Sequence, residues 1–124
     1  MPSDVPPLQP RRLLPAAAAA LCVALPLGAA AWPDKSIEWV VPYAAGGGSD
    51  IVARTLAEPM SKALGESIVI SNRPGAATAI GADHVAKAKA DGYVLLTADT
   101  ATLAANPSLY SKLGYDAAKD FAPI

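Results

Sequence analysis

The chain contains one cysteine, Cys22, and one histidine, His84. A single cysteine excludes a disulfide framework and any cysteine-based zinc site. Lys and Arg number 10 against 11 Asp and Glu, a net charge of −1, so the basic surface that nucleic-acid binding needs is missing. Catalytic constellations are missing too. His84 lies inside a helical stretch with no cysteine after residue 31 to pair with it, and Ser49 has no His or Lys nearby in sequence to activate it. Asp83, Asp91 and Asp99, eight residues apart, fall on different elements and read as caps, turns and solvated charge rather than a metal site. No enzyme, metal or cofactor is expected, and 124 residues leave room for one small domain or part of a larger one.

Uncharged apolar sequence is abundant at the N-terminus. Arg11 and Arg12 precede a stretch from Leu13 to Ala31 that carries no charge, is mostly Ala and Leu, and ends in Ala29-Ala30-Ala31. A basic start, an apolar middle and an A-x-A exit predict a cleavable export signal over residues 1–31. An uncleaved anchor is the rival, weakened by Pro15, Pro26 and the low hydrophobicity of alanine. Arg11-Arg12 leaves both the Sec and the twin-arginine route open. Leu21 stands where a lipoprotein needs a small residue, so Cys22 reads as part of the apolar stretch. Residues 32–124 then form a slightly acidic exported chain with 8 Lys and Arg, 10 Asp and Glu, and no cysteine.

Three strand-and-helix units follow. Ile37 to Val41 is a β-branched and aromatic run stopped by Pro42 and Gly46-Gly47-Gly48. Ser49 is the expected N-cap of the next helix and Asp50 supplies negative charge in its first turn. Val52, Leu56, Met60 and Ala63/Leu64 make one apolar stripe, Gly65 suits a left-handed C-terminus, and Pro59 predicts a kink or break near Ala57–Pro59. The second unit is the strand Ile68–Ile70, the loop Arg73-Pro74-Gly75 and a helix from Ile80 to Lys89. The third is the strand Tyr93–Thr97 and a helical stretch around Thr100–Ala105 that stops at Asn106-Pro107. The tail from Tyr110 to Ile124 carries turn-forming residues. Apolar strands alternating with helices predict an α/β architecture with a parallel sheet covered on both faces. Right-handed crossovers then gather the loops after the strands along one edge, where ligands of open sheets bind.

The segment Tyr43-Ala44-Ala45-Gly46-Gly47-Gly48-Ser49-Asp50 opens a helix, so it reads either as a cradle for a carboxylate or phosphate or as a plain tight turn. It is not a P-loop, having no Lys-Ser/Thr after the glycines. It lacks the later glycine of a dinucleotide fingerprint, and Asn72-Arg73 stands where an acidic ribose partner is expected. Arg73 could clamp an anion bidentately or form a salt bridge.

A series of short motifs in order carries a resemblance. Trp32-Pro33-Asp34-Lys35-Ser36-Ile37, Val40 to Asp50, Asn72-Arg73-Pro74-Gly75-Ala76, Ile80-Gly81-Ala82-Asp83, Asp91-Gly92-Tyr93, Asn106-Pro107-Ser108-Leu109-Tyr110 and Lys119-Asp120-Phe121-Ala122-Pro123 follow one another. From Trp32 to Ile124 the chain resembles the Bug-type extracytoplasmic receptors of tripartite tricarboxylate transporters. The resemblance implies a periplasmic binding protein-like (type II) fold whose first domain is incomplete here, with residues 32–124 as its N-terminal part. It implies a periplasmic receptor that binds a small organic acid, hands it to membrane permease subunits, and uses no metal or cofactor. Carried over residue by residue, it points to Tyr43, Ala44, Gly47, Gly48, Ser49 and Asp50 in the first loop. Ala76 and Ala77 follow in the second, with Asp99 and Thr100 in the third. The family usually has glycines where Ala77 and Thr78 stand, so positive φ there would strain these residues. Two alternatives stay open: an inactive remnant of such a receptor, and a fragment of a nucleotide-binding α/β enzyme.

Overall fold

A computed structural model describes residues 31–124; the leader reading falls outside the described residues except at Ala31. Strand β1 (Ile37–Val41) is flanked by β2 (Ile68–Asn72) and β3 (Val94–Leu96), both parallel to it, in the order β2-β1-β3. Ile37 pairs with Ile68 and Val41 with Asn72 on one side, and Glu38 with Val94 on the other. The ladder runs on into the loops, where Arg73 N–H donates to Val41 O and Thr97 N–H to Val40 O, both at 2.9 Å. The central strand is the floor of the core: Ile37, Val40 and Val41 are at most 1% exposed.

The chain crosses from β1 to β2 over α1 (Gly48–Leu64) and from β2 to β3 over α2 (Ala79–Ala86). Two right-handed crossovers that run in opposite directions across a sheet lie on opposite faces. Side-chain alternation agrees. Ser61 and Ala57 of α1 lie with Ile68 and Ile70, on the face of Ile37, Trp39 and Val41, whereas His84 of α2 meets Glu38 on the other face. The strands are therefore covered on both faces near β1. Val69 stays exposed on edge strand β2, because α2 covers β1 and β3 instead.

Four local expectations are corrected. Helix α1 runs unbroken through Pro59, which lies on its exposed side; only the hydrogen bond to the Thr55 carbonyl is lost, and water can serve that group. The face of α1 turned to the sheet is Asp50, Ala53 and Ala57, while Val52 and Leu56 of the expected stripe are exposed. Two alanines let the helix axis approach the sheet closely, which the bulkier stripe would prevent. The N-cap is Gly47, and Ser49 sits inside the first turn without capping it. Finally, Asn106-Pro107 does not end the third helical stretch. A π-helical segment (Ala101–Ala105) passes into α3 (Asn106–Leu109) through Pro107, and the Thr102 carbonyl five residues before it accepts from the Tyr115 hydroxyl instead.

The tail has no regular elements, yet Tyr115 anchors it. Its ring is 7% exposed, leans on Phe121 with centroids 5.6 Å apart, and its hydroxyl donates to Thr102 O at 2.7 Å.

Candidate functional site: three loops at the carboxyl edge of the sheet

The loops after β1, β2 and β3 meet at one edge and are joined by side chains. Asn72, the last residue of β2, donates from Nδ2 to Tyr43 O at 3.1 Å and to Asp50 Oδ1 at 2.9 Å. The Tyr43 hydroxyl donates to Asp99 Oδ2 in the loop after β3, and this bond to a carboxylate pushes the phenol above its ordinary value. The β1–β2 and β1–β3 gaps are each bridged once by the loop after β1.

The glycine turn is shaped from within by Asp50. This carboxylate is buried, and its Oδ2 accepts from Arg54 Nε at 2.9 Å and from the Gly46 amide at 2.8 Å. Hydrogen bonds from Arg54, Gly46 and Asn72 outweigh burial and hold the carboxyl well below the usual aspartate range. Gly46 has φ +83°, a conformation that favours glycine. The first helical hydrogen bond of α1 is Ile51 N–H to Gly47 O at 3.0 Å. The amides of Gly48, Ser49 and Asp50 thus precede the ladder, and no side chain caps them. A side chain at Gly48 would meet nothing within 4 Å, so the space beside Gly48 is open.

The loop after β2 carries the least common backbone among the described residues. Gly75, Ala76, Ala77 and Thr78 all have positive φ, at +125°, +45°, +51° and +76°. L-residues enter this region singly, at about 1–2 kcal/mol each, so three in a row store strain. The anticipated need for positive φ at Ala77 and Thr78 is met, and Ala76 shares it. Removing the Cβ at position 77, which is exposed, is expected to help: Ala77→Gly should raise stability by about 1 kcal/mol, read as a higher urea midpoint.

In the third loop Asp99 faces inward. Its Oδ1 accepts from Thr102 N–H at 3.0 Å and Thr102 Oγ1 at 3.1 Å. Burial pushes this carboxyl up, but the Tyr43 hydroxyl and the Thr102 donors together bring it below its ordinary value. Thr100 is exposed beside it.

The sequence-derived residues divide into two groups. Tyr43, Ala44, Gly47, Gly48, Ser49, Ala76, Ala77 and Thr100 belong to the assembled edge, whereas the carboxylates of Asp50 and Asp99 are engaged inside the protein. Arg73 forms a salt bridge with Glu38, Nη2 to Oε1 at 3.5 Å, rather than facing this edge. Sequence reasoning missed Asn72, Thr102, Asn106 and Tyr115. In sequence Asn72 stands out for not being acidic and as the first residue of the Asn72–Ala76 motif; its position at a strand end, within reach of two loops, is the signal for its role. Of the three aspartates spaced by eight, Asp83 pairs with Lys87 at 2.7 Å and Asp91 accepts the Tyr93 amide at 3.2 Å. Among the described residues no three His, Cys, Asp or Glu side chains could hold a metal ion.

Comparison with known proteins fits this architecture. Residues 52–124 match the family model TctC, described as tripartite tricarboxylate transporter family receptor. Protein BugT of Bordetella pertussis is 39% identical over 103 residues, covering 82% of this chain and 32% of its own. MatC of Rhodopseudomonas palustris, solved with bound malate, superposes with a TM-score of 0.70 at 41% identity, over 73% of this chain and 31% of that one. A second R. palustris protein, solved with adipate, gives 0.67 at 40% identity, over 70% and 29%. The chain spans between 27% and 32% of the length of the curated relatives it matches. With a parallel sheet of periplasmic binding-protein type and a receptor model matched over more than half its length, the chain belongs to the tripartite tricarboxylate transporter receptor family.

Proposed function

We propose that this chain supplies one wall of a periplasmic cleft that binds a small organic acid for uptake, without catalysis. The observation that carries the reading is the start of α1, where the amides of Gly48, Ser49 and Asp50 precede the helical ladder without a side-chain cap and open space lies beside Gly48. Helix N-termini carry partial positive charge and unpaired donors, so a carboxylate is the natural guest. Tyr43, Ala44, Gly47, Gly48 and Ser49 line this position, Ala76, Ala77 and Thr100 flank it, and Asp50 and Asp99 shape it from behind. Malate in one relative and adipate in another point to a dicarboxylate. Export through the N-terminal leader and hand-over to membrane permease subunits complete the proposal.

Backbone amide NMR on the purified chain tests it. Titration with malate or adipate should shift the Gly48, Ser49 and Asp50 amides in a saturable way while leaving β1 unmoved. A response to glucose or a nucleotide instead, with none to any dicarboxylate, would refute the ligand class. A single wall buries little of a small ligand, so the expected Kd is on the order of millimolar.

A further inference from the structure

Behind the loops lies a set of buried polar side chains that the proposed binding does not use: Thr78, Thr102 and Asn106 are at most 4% exposed, and Tyr115 is 7% exposed. Their hydrogen bonds have a direction that can be worked out. Asp99 is ionised and can only accept, so the Thr102 hydroxyl donates to it at 3.1 Å. The Thr102 oxygen is then the acceptor in its 2.9 Å contact with Thr78 Oγ1, which makes Thr78 the donor. The Thr78 oxygen in turn accepts from Asn106 Nδ2 at 3.3 Å. Donors therefore point one way, Asn106 to Thr78 to Thr102 to Asp99, and Tyr43 adds a donor from the other side. Chains aligned in this way polarise and strengthen one another, most of all when they end on a charge. The same Asn106 Nδ2 donates one hydrogen to Ala77 O at 2.6 Å, and its other hydrogen is shared between Thr78 Oγ1 and the Tyr115 oxygen, both at 3.3 Å.

We propose that this one-way chain, anchored on Asp99, is what locks the loop after β2 in its left-handed conformation, and that Thr102 and Asn106 are positioning residues for the carboxylate site. The strained turn needs outside support, because backbone in this region persists only where its surroundings overdetermine it. Both groups of the turn that face inward, Ala77 O and Thr78 Oγ1, are held by the chain. The positioning role rests on the proposed carboxylate site, whereas the conformational lock does not.

The test uses Thr102→Val, which keeps the shape and removes the hydroxyl, beside Thr102→Ser, which keeps the hydroxyl. One-bond Cα–Hα couplings distinguish positive from negative φ and are read at Ala76, Ala77 and Thr78. Thr102→Val should move these couplings to values of ordinary φ with the β1 amides unchanged, and should weaken the malate response about tenfold, the effect of losing a buried hydrogen bond. Thr102→Ser should retain both. Unchanged couplings in Thr102→Val would overturn the lock. If Thr102→Val fails to fold, adding Ala76→Gly and Ala77→Gly should restore folding, since glycine needs no lock; failure to restore it would also overturn the proposal. A wild-type chain silent to malate, with couplings that respond as described, would sink the carboxylate reading and leave the lock standing.

Discussion

Asp50→Ala is expected to lower the melting temperature by on the order of 10 °C, far more than Ser49→Ala next to it. The carboxylate joins the glycine turn, α1 and β2 through Gly46, Arg54 and Asn72. Its loss leaves an amide, a guanidinium and a carboxamide short of partners at once. Ser49 makes no capping bond, so its hydroxyl has little to lose. Thermal unfolding followed by circular dichroism compares the two variants directly. A drop for Asp50→Ala no larger than for Ser49→Ala would remove Asp50 from the centre of the turn.

The same residue sets an acid limit. Its native carboxyl lies well below the 3.8 of an unperturbed aspartate, so the unfolded chain takes up the proton first. The stabilisation is complete above that value and is lost as pH falls towards the depressed native one. Between about pH 5 and about pH 2 the wild type should lose more stability than Asp50→Asn, which has no carboxyl to titrate. The residual acid sensitivity of the variant comes from groups such as Asp99 and Glu38, also held low. At Glu38 burial acts upward, and hydrogen bonds from His84 and Ser71 with the charges of His84 and Arg73 prevail. Equal acid sensitivity in the two proteins would contradict this assignment.

Gly81→Val is the second large effect, a loss of about 3 kcal/mol in urea unfolding, with Gly81→Ala intermediate. A Cβ at position 81 would stand 2.9 Å from Pro42 Cβ, 3.1 Å from Arg73 O and 3.2 Å from Pro42 Cα. Neither neighbour is the end of a flexible side chain. Pro42 is fully buried and the Arg73 segment is tied to Val41 through its amide, so the helix itself must retreat. That retreat would pull the start of α2 away from the end of β1, where the loops converge. A change below about 1 kcal/mol would mean that α2 slides freely on the sheet.

The sheet was legible in the sequence because its strands are short, β-branched and punctuated by glycine and proline. Ile37–Val41 is found where the run Ile-Glu-Trp-Val-Val places it, and the parallel arrangement follows from the alternation of elements. The face of α1 was not legible. Val52 and Leu56 have helical spacing, but so do Ala53 and Ala57, and only the distance from helix to sheet decides that the smaller pair goes inside. Proline in the helix and asparagine-proline after the π-helical segment read locally as breaks, since propensity says nothing of a carbonyl that faces water or finds another donor. The glycine turn is legible as a helix start, but the partners of the Asp50 carboxylate are not: Arg54 lies one helical turn on and Asn72 at the end of the next strand. The buried polar group around Asn106 joins residues from position 78 to position 115, a convergence that no local pattern carries.

Tyr43, Asn72 and Asp99 fasten the three loops together, so the peptide groups between them are held in place before any guest arrives. Main-chain donors fixed in this manner register charge and are blind to the carbon skeleton that bears it. Discrimination between a four-carbon and a six-carbon diacid would then have to come from whatever closes over this shelf, and side chains there could diverge freely without disturbing the platform beneath.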